Sequence, residues 1–197
     1  MALLPVTHAC QVAVVGDLIL GLMILAPAEE HMASAAAHYF ETPNPLDRVE
    51  RLAESRRWPL DRTSEDEVIM SVAGGWCDLT LSLSWREDLE SLQTVCAFDL
   101  KVPEARQTEV MRLICLINAR LMQGHFDFWA QDGTILFRDN LILAGGAKAN
   151  DAQCDSMIRS GLDNCQRYYP AIQFVIWAGQ SAEKAIENAL LDTQGEA

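Results

Sequence analysis

The stretch that decides the fold is NARLMQGHFDFWAQDGTILFRDNLILAGG, residues 118–146. It begins as the end of an apolar helix and breaks at Gly124, because glycine accepts backbone conformations that other residues resist. Two apolar runs follow, joined by Asp132-Gly133, a dipeptide typical of tight hairpin turns. Gly145-Gly146 ends the second run. The stretch therefore predicts a helix followed by a β-hairpin, with the rest of the chain arranged to cover it.

Four strand-like runs precede this hairpin, and their apolar residues alternate with polar or small ones. A period of two is typical of antiparallel strands with one face on a core and the other toward solvent. The predicted strands are Trp58 to Arg62, Glu67 to Ala73, Trp76 to Trp85 and Ser91 to Leu100. A first helix is predicted before them, capped by Asn44 and ending near Arg57, because Trp58 precedes a proline.

The central helix is predicted to run from Pro103 to about Gln123. Between Val110 and Met122, its apolar positions cover well over half of its circumference. A helix that only covers its own sheet needs a narrower stripe. We therefore expect its far side to meet the N-terminal extension, another copy of the chain or a bound protein.

Helices are also predicted after the hairpin. Asn150 and Gln153 have the spacing of a capping box, which starts a helix. Tyr168-Tyr169-Pro170 is expected to interrupt that helix, and Ile172 to Trp177 fits either a helix or a strand, with helix favoured. Ser181 is expected to cap a last amphipathic helix, Ala182 to Leu191.

Composition limits the classes of partner. The chain has 197 residues, of which half are hydrophobic and 22% are charged, so a globular fold is expected. The formal net charge is −13. Such a charge disfavours nucleic acid and an anionic membrane surface as partners, and favours basic proteins. The six cysteines form no CxxC pair and are interpreted as buried thiols of a cytoplasmic protein.

Residues 1–43 are interpreted as an N-terminal extension, and residues 44–197 as one α+β domain. The run from Ala9 to Ala28 is nearly all apolar but carries Asp17, and no basic residue precedes Arg48. It fits a weak membrane segment, an extra helix or strand that packs on the domain, or translated upstream sequence with the true start at Met23 or Met32. The last two interpretations are favoured, because a spanning helix needs about 20 apolar residues with few charges.

Three groups of residues were weighed as chemical sites. His125 and Asp127 share one face of a predicted strand, but an acid–base pair without a nucleophile or metal is a weak signal. His31 and His38 could hold a metal together with Glu30, although no metal-binding motif supports this. Gly145-Gly146 before a helix could bind an anion, but a plain turn between strand and helix is the favoured interpretation.

An ordered set of sequence blocks runs through most of the chain. The blocks are NPLDRVERLAE (44–54), WPLDR (58–62), LSLSW (81–85), FDFW (126–129), FRDNLILAGG (137–146) and RYYPAIQFVIW (167–177). This set resembles the YbjN family, bacterial proteins described as sensory transduction regulators. The resemblance implies an α+β fold like that of type III secretion chaperones, with an antiparallel sheet packed against helices. Here, extra C-terminal helices and the extension depart from that pattern.

The resemblance implies a small, acidic, usually dimeric protein that binds segments of other proteins. We therefore expect a non-catalytic, protein-binding homodimer that needs no cofactor and no metal. The candidate partner-binding residues are Met111, Cys115, Leu116, Met122, Trp85, Trp129 and Arg138. The alternative hypothesis is a domain that binds or transforms a small molecule around His125, Asp127 and Arg138.

Overall fold

The computed structural model describes residues 44–192. The expectations placed on the N-terminal extension, on Cys10 and on the His31, His38 and Glu30 group lie outside the described residues. The described chain is an α+β structure, as predicted. Its helices are α1 (Leu46–Arg56), α2 (Gln107–Asn118), α3 (Asp151–Ile176) and α4 (Ala182–Asp192). Its strands are β1 (Leu60–Ser64), β2 (Glu67–Val72), β3 (Leu79–Arg86), β4 (Ser91–Lys101), β5 (His125–Trp129) and β6 (Thr134–Ile142).

The six strands form one antiparallel sheet in the order β1-β2-β3-β4-β6-β5. The hairpin predicted from the opening stretch is therefore β5–β6, and β5 forms one edge of the sheet. Alternation places one set of side chains on an inner face, which the core fills, and the other set on an outer face. Leu81, Cys96, Phe137 and Phe126 lie in one row across the inner face.

The long helix α3 crosses the inner face. It approaches β4 and β6 at Gly161, where an added Cβ would lie 3.6 Å from Cys96 Cβ. Aromatic rings fill the space beside it: the Phe126 ring centroid lies 5.3 Å from that of Phe137 and 6.0 Å from that of Tyr168. Aromatic pairs of this kind contribute beyond the apolar area that they bury. Phe126 thus packs within the core although it lies on the short edge strand.

Helix starts follow the predicted caps. Asn44 Oδ1 accepts a hydrogen bond from the amide of Leu46 at 2.9 Å. Asn150 and Gln153 form the predicted capping box, with both hydrogen bonds at 2.9 Å. Ser181 Oγ accepts from the Lys184 amide at 3.4 Å at the start of α4. These local signals depend on neighbouring residues only, which is why the sequence alone reveals them.

Two helix predictions are wrong. The central helix ends at Asn118 rather than near Gln123, and a short 3₁₀ turn, Glu104–Arg106, precedes it. Tyr168-Tyr169-Pro170 does not interrupt α3, which continues through Pro170 to Ile176. Proline removes one helical hydrogen bond, and here the residues around it are buried against the core, which holds the helix together. The favoured helical interpretation of the segment after Pro170 is confirmed as far as Ile176.

The far side of the central helix is partly covered by the chain itself. Helix α4 packs against both α2 and α3. Arg112 on α2 forms an ion pair with Glu183 at 2.6 Å, and Glu109 accepts a hydrogen bond from the Ala182 amide at 2.6 Å. The expectation that something outside the domain covers this side is therefore corrected for the Arg112 side of the helix. The opposite side of α2 remains exposed.

Candidate protein-binding surface

Helix α2 lies alongside the edge strand β5 and is tethered to it at both ends. The Asn118 side chain donates to the Phe126 carbonyl oxygen at 3.0 Å and accepts from the Phe126 amide at 2.8 Å. At the other end, Gln107 Nε2 donates to the Ala130 carbonyl oxygen at 3.5 Å. Residues on this side of α2 between the two tethers therefore flank β5.

Met111 and Cys115 follow Gln107 at intervals of four on the helix, so they lie towards this side of α2. Met111 is 44% exposed and Cys115 is also exposed. Around the edge of the sheet, Trp129 on β5 is 48% exposed on the outer face. Arg138 lies on the same outer face, paired with His125 across the β5–β6 ladder. We call Met111, Cys115, Trp129 and Arg138 the lateral surface.

Three other candidate partner-binding residues do not join this surface. Leu116 is partly buried against the core, and it follows Arg112 by four residues, on the side of α2 that faces α4. Trp85 is partly buried on the inner face, opposite Leu92. Met122 is fully exposed but lies beyond the end of α2. The prediction that Met122 extends the helical stripe is wrong, because the helix stops at Asn118.

The outer face of the sheet carries small polar side chains and a few apolar ones. Ile69, Val95 and Ala97 are half-buried, and Leu136 is 2% exposed between Ala97 and Asp127 on the neighbouring strands. Helix α3 crosses the opposite face. The outer face is thus more polar than the inner face, as expected of an antiparallel sheet with its core on one side.

Side chains bond part of the backbone at both edges of the sheet. On β5, Asn118 occupies the amide and carbonyl of Phe126, and Asp127 Oδ1 accepts from the Phe128 amide at 2.8 Å. On β1, the ladder is irregular near Arg62, whose guanidinium donates to the carbonyl oxygens of Ser64 and Glu65. Proteins block edge strands in such ways to avoid unwanted pairing.

His125 and Asp127 share the outer face, as predicted, but Asp127 has other partners. Its Oδ2 lies 3.4 Å from Arg138 Nη1, while its Oδ1 holds the Phe128 amide. A cavity of about 310 Å³ beside Arg138 is lined by Gln93, Thr94, Val95, His125, Asp139 and Asn140. Within residues 44–192, no group of three or more His, Cys, Asp or Glu side chains could hold a metal ion.

The glycine turn before α3 already binds a carboxylate of the chain itself. Gly145 and Gly146 have φ of +78° and +75°, a conformation that favours glycine. The Gly145 amide donates to Glu90 Oε2 at 3.0 Å, so the chain's own carboxylate fills the position that an anion would take. This contact supports the favoured interpretation of a turn.

The cysteines of residues 44–192 differ in how deeply they are buried. Cys96, Cys154 and Cys165 are buried as predicted, whereas Cys77 is half-buried and Cys115 is exposed, which corrects the expectation for Cys115. Burial raises the pKa of the Cys165 thiol well above its ordinary value, and contact with the Cys96 thiol adds to the effect. Burial also raises the pKa of Cys154.

These thiols are expected to differ in reactivity. At neutral pH, iodoacetamide should alkylate Cys115 at least about tenfold faster than Cys165 in the folded protein, because only an exposed thiolate reacts readily. Peptide mass spectrometry after timed alkylation measures both rates, and alkylation in urea serves as the control in which the difference disappears. Equal rates in the folded protein would contradict the burial of Cys165.

Two polar contacts that no sequence motif indicates organise this region. Asn118 at the end of α2 holds β5 in place, and Asp155 on α3 accepts hydrogen bonds from both Arg56 and Arg159. The contact between Arg56 and Asp155 joins α1 to α3, and the guanidinium of Arg56 also lies 5.0 Å from the Trp58 ring centroid. The only indication of this role of Asn118 in the sequence is that a polar residue follows the apolar run Leu113–Ile117.

Comparison with known proteins decides the family. The model of the YbjN family, described as "Putative bacterial sensory transduction regulator", matches residues 45–174. This chain belongs to the YbjN family. The resemblance seen in the sequence blocks is thus confirmed, and the matched residues include the whole lateral surface.

Two solved structures are partly similar to this chain. A structure of YbjN from E. coli, described as a "putative transcription regulator", is 9% identical with a TM-score of 0.47, and covers 64% of this chain and 88% of that chain. A structure of the ExsC–ExsE complex is 13% identical with a TM-score of 0.46, covering 62% and 88%. No curated protein matches the sequence significantly. Among residues 44–192, no helix has the length and apolarity needed to cross a membrane.

Proposed function

We propose that this YbjN-family protein is a non-catalytic, cytoplasmic regulator that binds an apolar segment of another protein on its lateral surface. The observation that carries the proposal is the exposure of Met111, Cys115 and Trp129 around β5, which Asn118 bonds at Phe126. Methionine adapts its shape to different apolar partners, and tryptophan is enriched in interfaces. Exposed, adaptable apolar side chains are suited to holding a segment without transforming it.

The charge of the protein defines the partner further. A net charge of −13 favours an apolar segment with lysine or arginine on its flanks. We propose that the segment lies across side chains of α2 and β5 and does not pair as an added strand, because Asn118 and Asp127 already bond backbone groups at the β5 edge.

The alternative of chemistry at His125, Asp127 and Arg138 is less well supported. Asp127 is held by Arg138 and by the Phe128 amide, so it does not orient His125 as a general base would require. The neighbouring cavity places Asp139 and the neutral polar side chains of Gln93, Thr94 and Asn140 beside His125 and Arg138.

A library of 15-residue peptides displayed on phage tests the proposed partner chemistry. Selection on the full-length protein should enrich apolar segments flanked by basic residues. The substitution Met111→Asp should weaken binding of an enriched peptide at least about tenfold, or 1.4 kcal/mol, because it places a carboxylate on an apolar contact. Ser156→Asp, on an exposed position of α3, is the matched control and should leave the affinity unchanged. Equal affinity of both variants, or enrichment of acidic peptides, would overturn the proposal.

We also propose that the protein acts as a homodimer. Trp76 and Trp177 are 60% and 64% exposed, outside the lateral surface, and exposed aromatic residues are favoured in interfaces. Light scattering after size-exclusion chromatography should give twice the chain mass of 21.9 kDa at micromolar concentration. A mass equal to one chain at all concentrations would contradict this part of the proposal and leave the lateral surface unaffected.

A further inference from the structure

Three of the five cysteines of residues 44–192 lie together where α3 crosses the sheet. Cys96 is on the inner face of β4, and Cys165 is on the side of α3 that packs against the sheet; both have a relative exposure of 0%. The two thiols are in contact. Cys77, in the loop between β2 and β3, lies near both and is half-buried. The function proposed above uses none of these thiols.

Helix α3 approaches β4 closely on both sides of Cys165. Gly161 lies one turn before Cys165, and a Cβ added to it would be 3.6 Å from Cys96 Cβ. One turn after Cys165, the Tyr169 ring centroid lies 5.5 Å from that of Phe98 on β4. Cβ atoms joined by a disulfide are about 3.5–4.5 Å apart. The two backbones are therefore close enough for a covalent link between their thiols with little movement.

Cys77 brings this group of thiols to the surface of the protein. Its loop, residues 73–78, is held on α3 by an exposed hydrogen bond of 3.3 Å, which the Gly75 amide donates to Gln166 Oε1. The Tyr169 hydroxyl interacts with the Cys77 thiol on the same side of α3. A small uncharged oxidant that reaches the half-buried Cys77 is therefore next to the buried pair.

We infer that Cys96 and Cys165 are a redox pair that a peroxide converts into a disulfide between β4 and α3. The O–O bond of the peroxide breaks, the two thiols lose their hydrogens, one S–S bond forms, and hydrogen peroxide leaves as two molecules of water. A cellular dithiol reverses the reaction and is itself oxidised to a disulfide. Disulfides of cytosolic proteins are usually transient and serve catalysis or redox sensing. The inference does not depend on the lateral surface.

The reaction should be slow and should stabilise the domain. Burial raises the pKa of the Cys165 thiol well above its ordinary value, so the thiolate that attacks an oxidant is scarce at neutral pH. The disulfide therefore forms under sustained rather than brief exposure to peroxide. It closes a long loop of the chain and restricts the unfolded state. The midpoint of urea unfolding should rise by at least about 1 M.

The test maps the disulfides of the full-length wild-type protein after peroxide treatment. Remaining thiols are blocked before digestion, and peptide mass spectrometry should identify a linked Cys96–Cys165 peptide that dithiothreitol separates. The rise in the urea midpoint should be absent in Cys165→Ser. Cys154→Ser is the matched control and should keep the rise, because Cys154 is also 0% exposed but has no other cysteine beside it within residues 44–192.

Three results would overturn the inference. In the first, peroxide oxidises Cys77 or the exposed Cys115 while Cys96 and Cys165 stay reduced in the folded protein. In the second, the Cys96–Cys165 link forms only at urea concentrations that unfold the chain. In the third, the urea midpoint rises equally in the wild type and in Cys165→Ser. The first two results come from the wild-type chain, so they do not depend on the folding of any variant.

Discussion

Gly124→Ala is expected to lower the free energy of unfolding by about 3 kcal/mol, because it combines backbone strain with overpacking. Gly124 has a φ of +67°, and an added Cβ would lie 2.2 Å from Phe137 Cζ and 2.9 Å from the Arg138 carbonyl oxygen. Phe137 is fully buried in the aromatic core, so it cannot move aside cheaply. Urea unfolding followed by circular dichroism measures the loss.

Gly145→Ala is the matched control for this substitution. Gly145 has a similar φ of +78°, but nothing lies within 4 Å of its added Cβ. Gly145→Ala should therefore lower the free energy of unfolding by about 1 kcal/mol, the cost of conformational strain alone. Equal losses for the two variants would contradict the close packing of Gly124 against Phe137.

Asn118→Ala should have the second largest effect, a loss of about 2 kcal/mol, because two backbone hydrogen-bonding groups of Phe126 lose their partner. The same change frees the edge of β5, so the variant should associate at high concentration as exposed strand edges do. Denaturant titration gives the stability, and light scattering as a function of concentration gives the association.

Gln107→Ala provides the comparison for Asn118. Gln107 also bridges α2 and the β5 end of the hairpin, but through one exposed hydrogen bond of 3.5 Å. Gln107→Ala should lower the free energy of unfolding by less than about 0.5 kcal/mol, because long, exposed hydrogen bonds contribute little. If Gln107→Ala and Asn118→Ala were equally destabilised and both remained monodisperse, Asn118 would not be the residue that closes the β5 edge.

Local patterns in the sequence were sufficient for much of the fold. The alternation around Leu81 and the Asp132-Gly133 turn predicted β3 and the β5–β6 hairpin. The caps at Asn44, Asn150 and Ser181 predicted the starts of three helices. Each of these signals acts between residues close in sequence, where spacing alone decides which groups can meet.

Errors arose where contacts between distant residues decide the structure. Leu121 and Met122 continue the apolar period of α2, but the helix ends before them at Asn118, whose side chain bonds the distant Phe126. Pro170 normally marks a break, yet burial of its neighbours keeps α3 continuous. Tertiary packing overrides local propensity in both cases.

The candidate site was predictable only in part. The excess of apolar residues on α2 indicated that the helix contacts more than the sheet. Met111 and Trp129 are exposed, whereas the exposure of Cys115 was not expected. The pattern could not tell that α4 covers one side of α2, because periodicity does not specify which helix packs where. The pattern also could not show that Trp85 is partly buried on the inner face of the sheet whereas Trp129 is exposed on the outer face.

Photo-cross-linking tests most directly whether the lateral surface binds a protein segment. The photoreactive amino acid benzoylphenylalanine is introduced at position 111, or at position 156 as the control, and bacterial cells expressing each full-length variant are irradiated. Position 111 should cross-link to an apolar segment with basic flanks, identified by mass spectrometry, and Trp129→Ala should reduce the yield at least about threefold, as expected for an aromatic anchor. Cross-links of equal yield at positions 111 and 156, or none at position 111, would contradict the account.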